Sequence, residues 1–428
     1  MYDTAERKEK FILIAVEKDG IDSETNLNEL SELVDTAGAE EVGRVVQKRD
    51  AVHSGHYLGK GKLDEVMALL EAMDADAVVA DDELTASQQR NLATRLNVKV
   101  LDRTMVILDI FAQRAQTSEG KAQVELAQLK YSLSHLAGLG IALSRQAGAA
   151  AHGGVGNRGP GEKKLELDRR HIRNRIDQLN GELKELRENR AVLRKKRIKQ
   201  NIPVVAIVGY TNAGKSTLLN ALTDAGVLAE NKLFATLDTT TRKVNLPNGG
   251  AEVLFTDTVG FINKLPHHLI QAFRATLEET RFSDILLHVV DASNPHAKNQ
   301  METVYETIKS LDCADKPIVT AFNKIDRADG IWEAVDTKSL HTIPISAITG
   351  ENIDALLGSI AAVIDQTRSN IKALIPYTHG ALVSQIHTNC KVLEVESRED
   401  GTYIEFYATE EMLALCSPYL LRRVANKS

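Results

Sequence analysis

The chain has 428 residues, 43% hydrophobic and 26% charged, with a net charge of −7. That length supports roughly two to four domains with their own cores, and the composition excludes a disordered or fibrous protein. No apolar run nears the ~20 residues of a membrane span, the segment after Met1 lacks a signal-peptide shape, and Cys313, Cys390 and Cys416 lack metal or disulfide spacing. The expectation is a cytoplasmic monomer, at most peripheral to a membrane.

In the first hundred residues, strand-like runs at Phe11–Val16, Val42–Gln47, Ala77–Ala80 and Val98–Leu101 alternate with helical stretches near 25–37, 62–73 and 85–96. This β-α-β series predicts a small, mainly parallel sheet in an N-terminal α/β domain over 1–103. Gly59-Lys60-Gly61-Lys62 lacks the spacing of a phosphate loop and reads as a turn opening the next helix. No catalytic constellation stands here.

Leu126, Leu129, Leu133 and Leu136 then repeat at helical spacing in a helix expected to begin near Thr104. A second seam runs through Ile172, Ile176, Leu179, Leu183, Leu186 and Leu193. Residues 147–161 between them are rich in Gly and Ala and are not expected to hold a regular element. The pattern predicts a long antiparallel helical hairpin over 104–200 with a Gly-rich tip. Residues 163–199 carry 14 Lys and Arg against six Asp and Glu, so the rest of the chain is strongly acidic. Such a localised positive field suits a phosphate-rich surface, and a near-neutral tip on a basic stalk suits an RNA cavity.

The apolar run Val204–Val208 leads into Gly209-Tyr210-Thr211-Asn212-Ala213-Gly214-Lys215-Ser216, followed by Thr217 and a helical stretch to Leu222. This is the phosphate-loop pattern G-x-x-x-x-G-K-[S/T] between a strand and a helix. Its glycines let backbone wrap phosphates, and amides of 213–217 point at the anion from a helix N-terminus. Lys215 supplies positive charge to the β- and γ-phosphates as the catalytic cation, and the Ser216 hydroxyl is a Mg²⁺ ligand.

Further along, the strand 252–255 runs into Asp257-Thr258-Val259-Gly260, where such enzymes hold Mg²⁺ through water and sense the γ-phosphate. The strand 317–322 ends in Asn323-Lys324-Ile325-Asp326. The Asp326 carboxylate can accept two hydrogen bonds from the N1–H and N2–H₂ edge of guanine, which adenine lacks. Lys324 can lie along the base, and amides of Ser346-Ala347-Ile348 can reach the guanine O6. The order and spacing together predict a guanine-nucleotide site. Between these, Phe234-Ala235-Thr236-Leu237-Asp238 belongs to a segment expected to close on Mg²⁺ and the γ-phosphate. Thr236 follows a Phe-Ala pair and is the chosen Mg²⁺ ligand, though Thr239, Thr240 and Thr241 compete for the role.

Many GTPases place Gln just after Asp-x-x-Gly to orient the attacking water. Phe261 stands there and cannot. Either a partner completes the site, which is the preferred reading, or a group such as His267 or His268 swings in. After Ile371 the pattern gives a strand, a helix, two strands joined at Arg398–Gly401 and a last helix from Glu410, a small α+β domain over 369–428 that follows a GTPase domain over 201–368. Trp332 and residues 327–337 read as loop and surface helix.

Gly-Tyr-Thr-Asn-Ala-Gly-Lys-Ser-Thr-Leu, Leu-Phe-Ala-Thr-Leu-Asp and Asp-Thr-Val-Gly-Phe-Ile resemble the HflX family of ribosome-associated GTPases. The stretches 101–129 and Arg158-Gly-Pro-Gly-Glu-Lys-Lys-Leu-Glu-Leu-Asp-Arg-Arg170 support this, since generic GTPases lack them. The resemblance covers about 10–365 and is weak over the last sixty residues. Two departures stand out: Lys163-Lys164 replace a common Thr-Gln, and Thr239 replaces a common Pro. The second leaves the closed form of the mobile segment in doubt. The resemblance implies an α/β phosphate-loop GTPase that turns GTP into GDP with Mg²⁺. It would bind chiefly the large ribosomal subunit and its RNA, reach toward the peptidyl-transferase centre, split or rescue ribosomes, and be stimulated by them. A GTPase of large-subunit assembly is the nearest alternative. A signalling GTPase using the heptad face, or a metabolic enzyme with GTP as phosphoryl donor, is more distant.

Overall fold

The computed structural model describes residues 7–18, 23–150, 160–199, 202–223, 233–237, 239–247, 252–264, 266, 269, 279–328, 335–367, 369–408 and 410–421. The chain divides into two compact units. One comprises Met1–Glu188 with Glu230–Asp238 and Ile262–Thr276; the other comprises Asn189–Ala229, Thr239–Phe261 and Leu277–Ser428.

The first unit opens with β1 (Lys10–Glu17), α1 (Ser23–Thr36), β2 (Glu40–Lys48), α2 (Lys60–Met73), β3 (Ala77–Ala80), α3 (Ala86–Leu96) and β4 (Lys99–Asp102). The strands form an all-parallel sheet in the order β2-β1-β3-β4. β1 and β3 read as unbroken apolar runs because helices cover a parallel sheet on both faces. Ile12, Ile14, Val78 and Ala80 pack with Leu63, Val66, Leu92 and Leu96 of the helices in one core. Gly59 caps α2, so the Gly-Lys-Gly-Lys stretch is a helix start.

The helix expected from Thr104 is two helices, α4 (Arg103–Arg114) and α5 (Ser118–Ala150). The break has a local cause: Ala115 turns extended, and the Thr117 hydroxyl accepts the Gly120 amide at 2.9 Å, opening a new N-terminus. α6 spans Pro160–Lys199. The Gly-rich tip is therefore shorter than expected. Alanines carry α5 through Ala150 and Pro160 suits a first helical position, while 151–159 lie outside the described residues. Leu126 and Ala122 of α5 pack on Leu179 and Leu183 of α6, flanked by Leu129, Ile176 and Leu186. Arg175 clasps Glu125 with two bonds of 2.7 and 2.8 Å, and Arg169 donates to the Leu136 carbonyl at 2.7 Å. Positions rising along α6 thus meet positions falling along α5, an antiparallel hairpin.

Two buried carboxylates tie this unit together. Asp102, fully buried, accepts from the amides of Met105 and Leu84 and from the Tyr131 hydroxyl, joining β4, α4 and α5. Asp81, at the end of β3, accepts from Arg103 at 2.9 Å and Lys264 at 2.5 Å. Arg103 also pairs with Glu29, and Lys264 with Asp82 at 2.9 Å. Burial lowers the Lys264 ammonium's pKa, but Asp81 and Asp82 outweigh it and leave the net value raised. Asn263 donates to Asn26 at 3.0 Å, and Phe234 meets Phe111 edge-on at 4.7 Å. The segments around Phe234 and Lys264 thus pack as parts of the N-terminal unit.

The second unit holds a six-stranded sheet in the order β10-β9-β8-β5-β7-β6: β5 (Val204–Gly209), β6 (Thr240–Asn245), β7 (Glu252–Asp257), β8 (Ile285–Asp291), β9 (Ile318–Asn323) and β10 (His341–Pro344). It is parallel except for β6, which runs against β7. α7 (Lys215–Thr223), α8 (Ala297–Ser310) and α9 (Ile353–Thr367) accompany it. A smaller antiparallel sheet, β11-β13-β12, is built from β11 (Ser369–Ile375), β12 (Lys391–Arg398) and β13 (Gly401–Ala408), with α10 (Gly380–Asn389) and α11 (Glu410–Cys416). Ile371, Ala373, Ile404, Phe406, Ile386 and Met412 form its own core.

Candidate functional site

In an open parallel sheet, ligands sit beyond the carboxyl ends of the strands. β5, β7, β8 and β9 each end there in a residue of the predicted site or its support: Gly209, Asp257, Asp291 and Asn323. The loop after β5 is held from several sides. A Cβ on Gly209 would meet the Val289 carbonyl oxygen at 2.3 Å, and one on Gly214 would meet Asn323 Nδ2 at 2.3 Å. Gly214 also has φ +94°, so neither position tolerates a side chain. Asn212 takes φ 60°, which Asn accepts more readily than most residues.

Lys215 begins α7 and folds over the loop, donating to the carbonyls of Gly209 at 3.2 Å and Tyr210 at 2.7 Å. Burial pushes its pKa down to about 8; Asp257 opposes that and Lys324 adds to it. The Ser216 hydroxyl donates to Asp257 Oδ2 at 2.7 Å, and Asp257 is fully buried. Two hard oxygen donors at this spacing suit a hard divalent cation. Among the described residues no group of three or more His, Cys, Asp or Glu forms a metal cluster. Thr258 turns away and donates to the Ile207 carbonyl at 2.6 Å. Val259 is buried, and a Cβ on Gly260 would lie 2.9 Å from Lys215 Nζ and from Thr211 Cα and Cγ2.

Phe261 is 2% exposed. Its amide donates to the Gly209 carbonyl at 3.1 Å, and its carbonyl accepts the Thr211 amide at 2.8 Å. Phe261 therefore extends the pairing beside the loop, and no water-orienting side chain stands there. His267 and His268 lie outside the described residues.

The base-recognition residues form a second cluster. Asn323 donates to the Ala213 carbonyl at 2.9 Å and accepts the Ala347 amide at 2.9 Å, linking the loop after β9 to the phosphate loop and the 346–348 turn. Lys324, at φ 64°, donates to the Asn212 carbonyl at 2.8 Å and to Asp291 at 2.7 Å. Asp326 accepts from the buried Ser346 hydroxyl at 2.6 Å, which fixes the carboxylate's orientation. The Ala347 amide is committed to Asn323, and Ile348 is 63% exposed. Asp291 was not among the sequence candidates. Its signal is slight, an Asp closing the apolar run 285–290, and only the fold brings it to Lys324.

Phe234, Ala235, Thr236 and Leu237 belong to the other compact unit, and Asp238 lies outside the described residues. Phe234 and Leu237 are buried, so this stretch is packed by its apolar residues.

Family models match nearly end to end. Residues 24–112 match the GTP-binding GTPase N-terminal family, 114–197 its middle region, 204–324 the 50S ribosome-binding GTPase family and 333–412 the HflX C-terminal domain. The chain is 51% identical to the GTPase HflX of Lacrimispora saccharolytica, over 97% of each chain. It is 38% identical to the GTPase HflX of Escherichia coli K12, over 94% of each. A solved GTP-binding protein of Sulfolobus solfataricus in complex with GDP is 22% identical, with 84% of this chain and 99% of that chain covered and a TM-score of 0.44. The likeness thus continues into the last sixty residues, where the motifs alone had shown it only weakly.

Proposed function

This chain belongs to the HflX family and is a GTP-binding, GTP-hydrolysing enzyme, and from that premise we propose that it acts on the ribosome. In its GTP form it binds chiefly the large subunit and its RNA, splits or rescues ribosomes, and leaves after hydrolysis. The observation that carries this reading is Phe261. A buried, backbone-paired Phe at the place of the water-orienting Gln gives slow turnover alone and a need for an outside partner. The match of 204–324 to 50S ribosome-binding GTPases supports the choice of partner. So does the charge of residues 163–199, 14 Lys and Arg against six Asp and Glu, which suits a phosphate-rich surface.

Four working parts are proposed: an N-terminal α/β domain (1–103), a helical hairpin (104–200), the GTPase domain (201–368) and a C-terminal α+β domain (369–428). The nucleotide site is assigned to Gly209–Thr217, Phe234–Asp238, Asp257–Gly260, Asn323, Lys324, Asp326 and Ser346–Ile348. Ser216 and Thr236 would ligate Mg²⁺, with Asp257 behind Ser216. When bound, the ion would neutralise charge on the β- and γ-phosphates. The chain's own groups do the remainder. Lys215 holds the phosphates, Asp326 selects guanine, and segments 229–242 and 257–265 change conformation with the γ-phosphate. The test is GTP turnover with and without purified bacterial ribosomes, with Lys215→Ala as the blank. Stimulation by mature 70S or 50S particles is expected. Stimulation by precursor particles alone would move the role to assembly, and equal turnover throughout would overturn the ribosome reading.

A further inference from the structure

The site lacks the Gln that orients water, yet it hydrolyses GTP. Thr258 is committed to the Ile207 carbonyl, and Ser216 to Asp257. Thr211 differs. It is only 5% exposed, and its Oγ1 is buried with no hydrogen-bond partner among the described residues. An unsatisfied buried hydroxyl costs on the order of 1–3 kcal/mol, so a Thr held this way points to a ligand that satisfies it.

Its surroundings say which ligand. The Thr211 amide donates to the Phe261 carbonyl at 2.8 Å, which leaves χ1 to aim the hydroxyl. Thr211 Cα, Thr211 Cγ2 and Lys215 Nζ all lie 2.9 Å from the point a Gly260 Cβ would occupy. The methyl side of Thr211, the phosphate-binding cation and the residue proposed to sense the γ-phosphate meet at this spot, and a turn about χ1 would exchange the methyl for the hydroxyl there. Phe261, adjacent to Gly260, is itself 2% exposed.

We propose that Thr211 is a further catalytic residue, whose hydroxyl takes over the missing Gln's role by accepting a hydrogen bond from the attacking water beside the γ-phosphate. This rests on the GTPase reading of the same site. In the step, the water oxygen bonds to the γ-phosphorus and the bond from that phosphorus to the β–γ bridging oxygen breaks. The bridging oxygen keeps the electron pair, and the water proton passes to a γ-phosphate oxygen. GDP and inorganic phosphate result, with no proton retained by Thr211. One short hydroxyl holds water less completely than Gln's paired donor and acceptor, so unassisted turnover should be slow. A ribosome that orders the neighbouring segments would add to this contact and not replace it.

The test uses the full chain without ribosomes and compares Thr211→Val with Thr211→Ser. Val keeps the β-branched shape and deletes the hydroxyl, whereas Ser keeps the hydroxyl. Single-turnover hydrolysis should fall roughly tenfold to a hundredfold in Thr211→Val and stay within about threefold of the parent in Thr211→Ser. The Kd for GDP should shift far less than the hydrolysis rate in Thr211→Val, and the Tm of Thr211→Val should equal or exceed the parent's because an unsatisfied polar group is removed. Parental hydrolysis by Thr211→Val would overturn the proposal. So would equal losses in hydrolysis and GDP binding, which indicate a packing role. Failure of the ribosome reading would show differently, as an absence of stimulation in the parent itself.

Discussion

The nucleotide cradle and the segments expected to sense the nucleotide are built in opposite ways. The cradle is held by backbone and buried polar groups of its own unit: Asn323 on Ala213 and Ala347, Lys324 on Asn212 and Asp291, and Phe261 on Gly209 and Thr211. The sensing segments around Phe234 and Lys264 are held by the N-terminal unit, through an aromatic contact and ion pairs. Elements that are to read a γ-phosphate must be able to exchange one set of contacts for another, and ion pairs and an aromatic contact can be exchanged more readily than a backbone-built loop.

The largest effect should come from the cradle. Asp326→Asn replaces an acceptor with a donor opposite the guanine edge, so GTP affinity should fall by about 10³- to 10⁴-fold while a xanthine nucleotide, with a carbonyl at that edge, gains. Competition binding with GTP and XTP measures both, and unchanged preference would remove Asp326 from base recognition.

Next comes the N-terminal anchor. Asp81→Ala would leave the buried Arg103 and the exposed Lys264 without their shared carboxylate. A loss of about 3–5 kcal/mol is expected in chemical denaturation of the full chain. A loss under about 1 kcal/mol would mean the ion network is solvated and does not fix the Lys264 segment.

The smallest effect is a pH slope. Lys215 has a pKa of about 8 in the free protein, and bound phosphates can only raise it. GDP affinity should therefore be flat below pH 8 and fall toward tenfold per unit above it, as the free protein sheds the proton that binding needs. Stability of the free protein shifts oppositely. The folded pKa lies below the unfolded value of 10.5, so the unfolded chain binds more protons between them and this group's contribution rises with pH across that window. Calorimetric GDP titrations at pH 7, 8 and 9 check the first, and a flat profile contradicts it.

These differences also show what a sequence can disclose. The phosphate loop, Asp257–Gly260 and Asn323–Asp326 are short contiguous stretches because phosphate and base contacts use backbone, whose geometry is written in adjacent residues. The sheet of the N-terminal unit was legible for a similar reason, since its strands are unbroken apolar runs. Asp291, Asp81 and Asp102 were not legible as anchors. Their partners are 33, 183 and 29 residues away, and nothing local marks a buried carboxylate. The break at Ala115–Thr117 left only a slight trace, a mostly polar stretch over 113–121 with Thr117 as a possible cap, and Thr117 acts as one only once the chain has turned. Thr236 stays one of several Thr candidates because sequence gives the order of residues along this stretch and not their placement around a nucleotide.

Hydrogen exchange on the full chain, with GDP and then with a non-hydrolysable GTP analogue, tests the contrast most directly. Protection should change at 233–237 and 262–264 and at their contacts around Asp81 and Phe111, while amides of 323–326 and 346–347 stay equally protected in both states. Uniform change across both regions, or none at the sensing segments, would contradict the account.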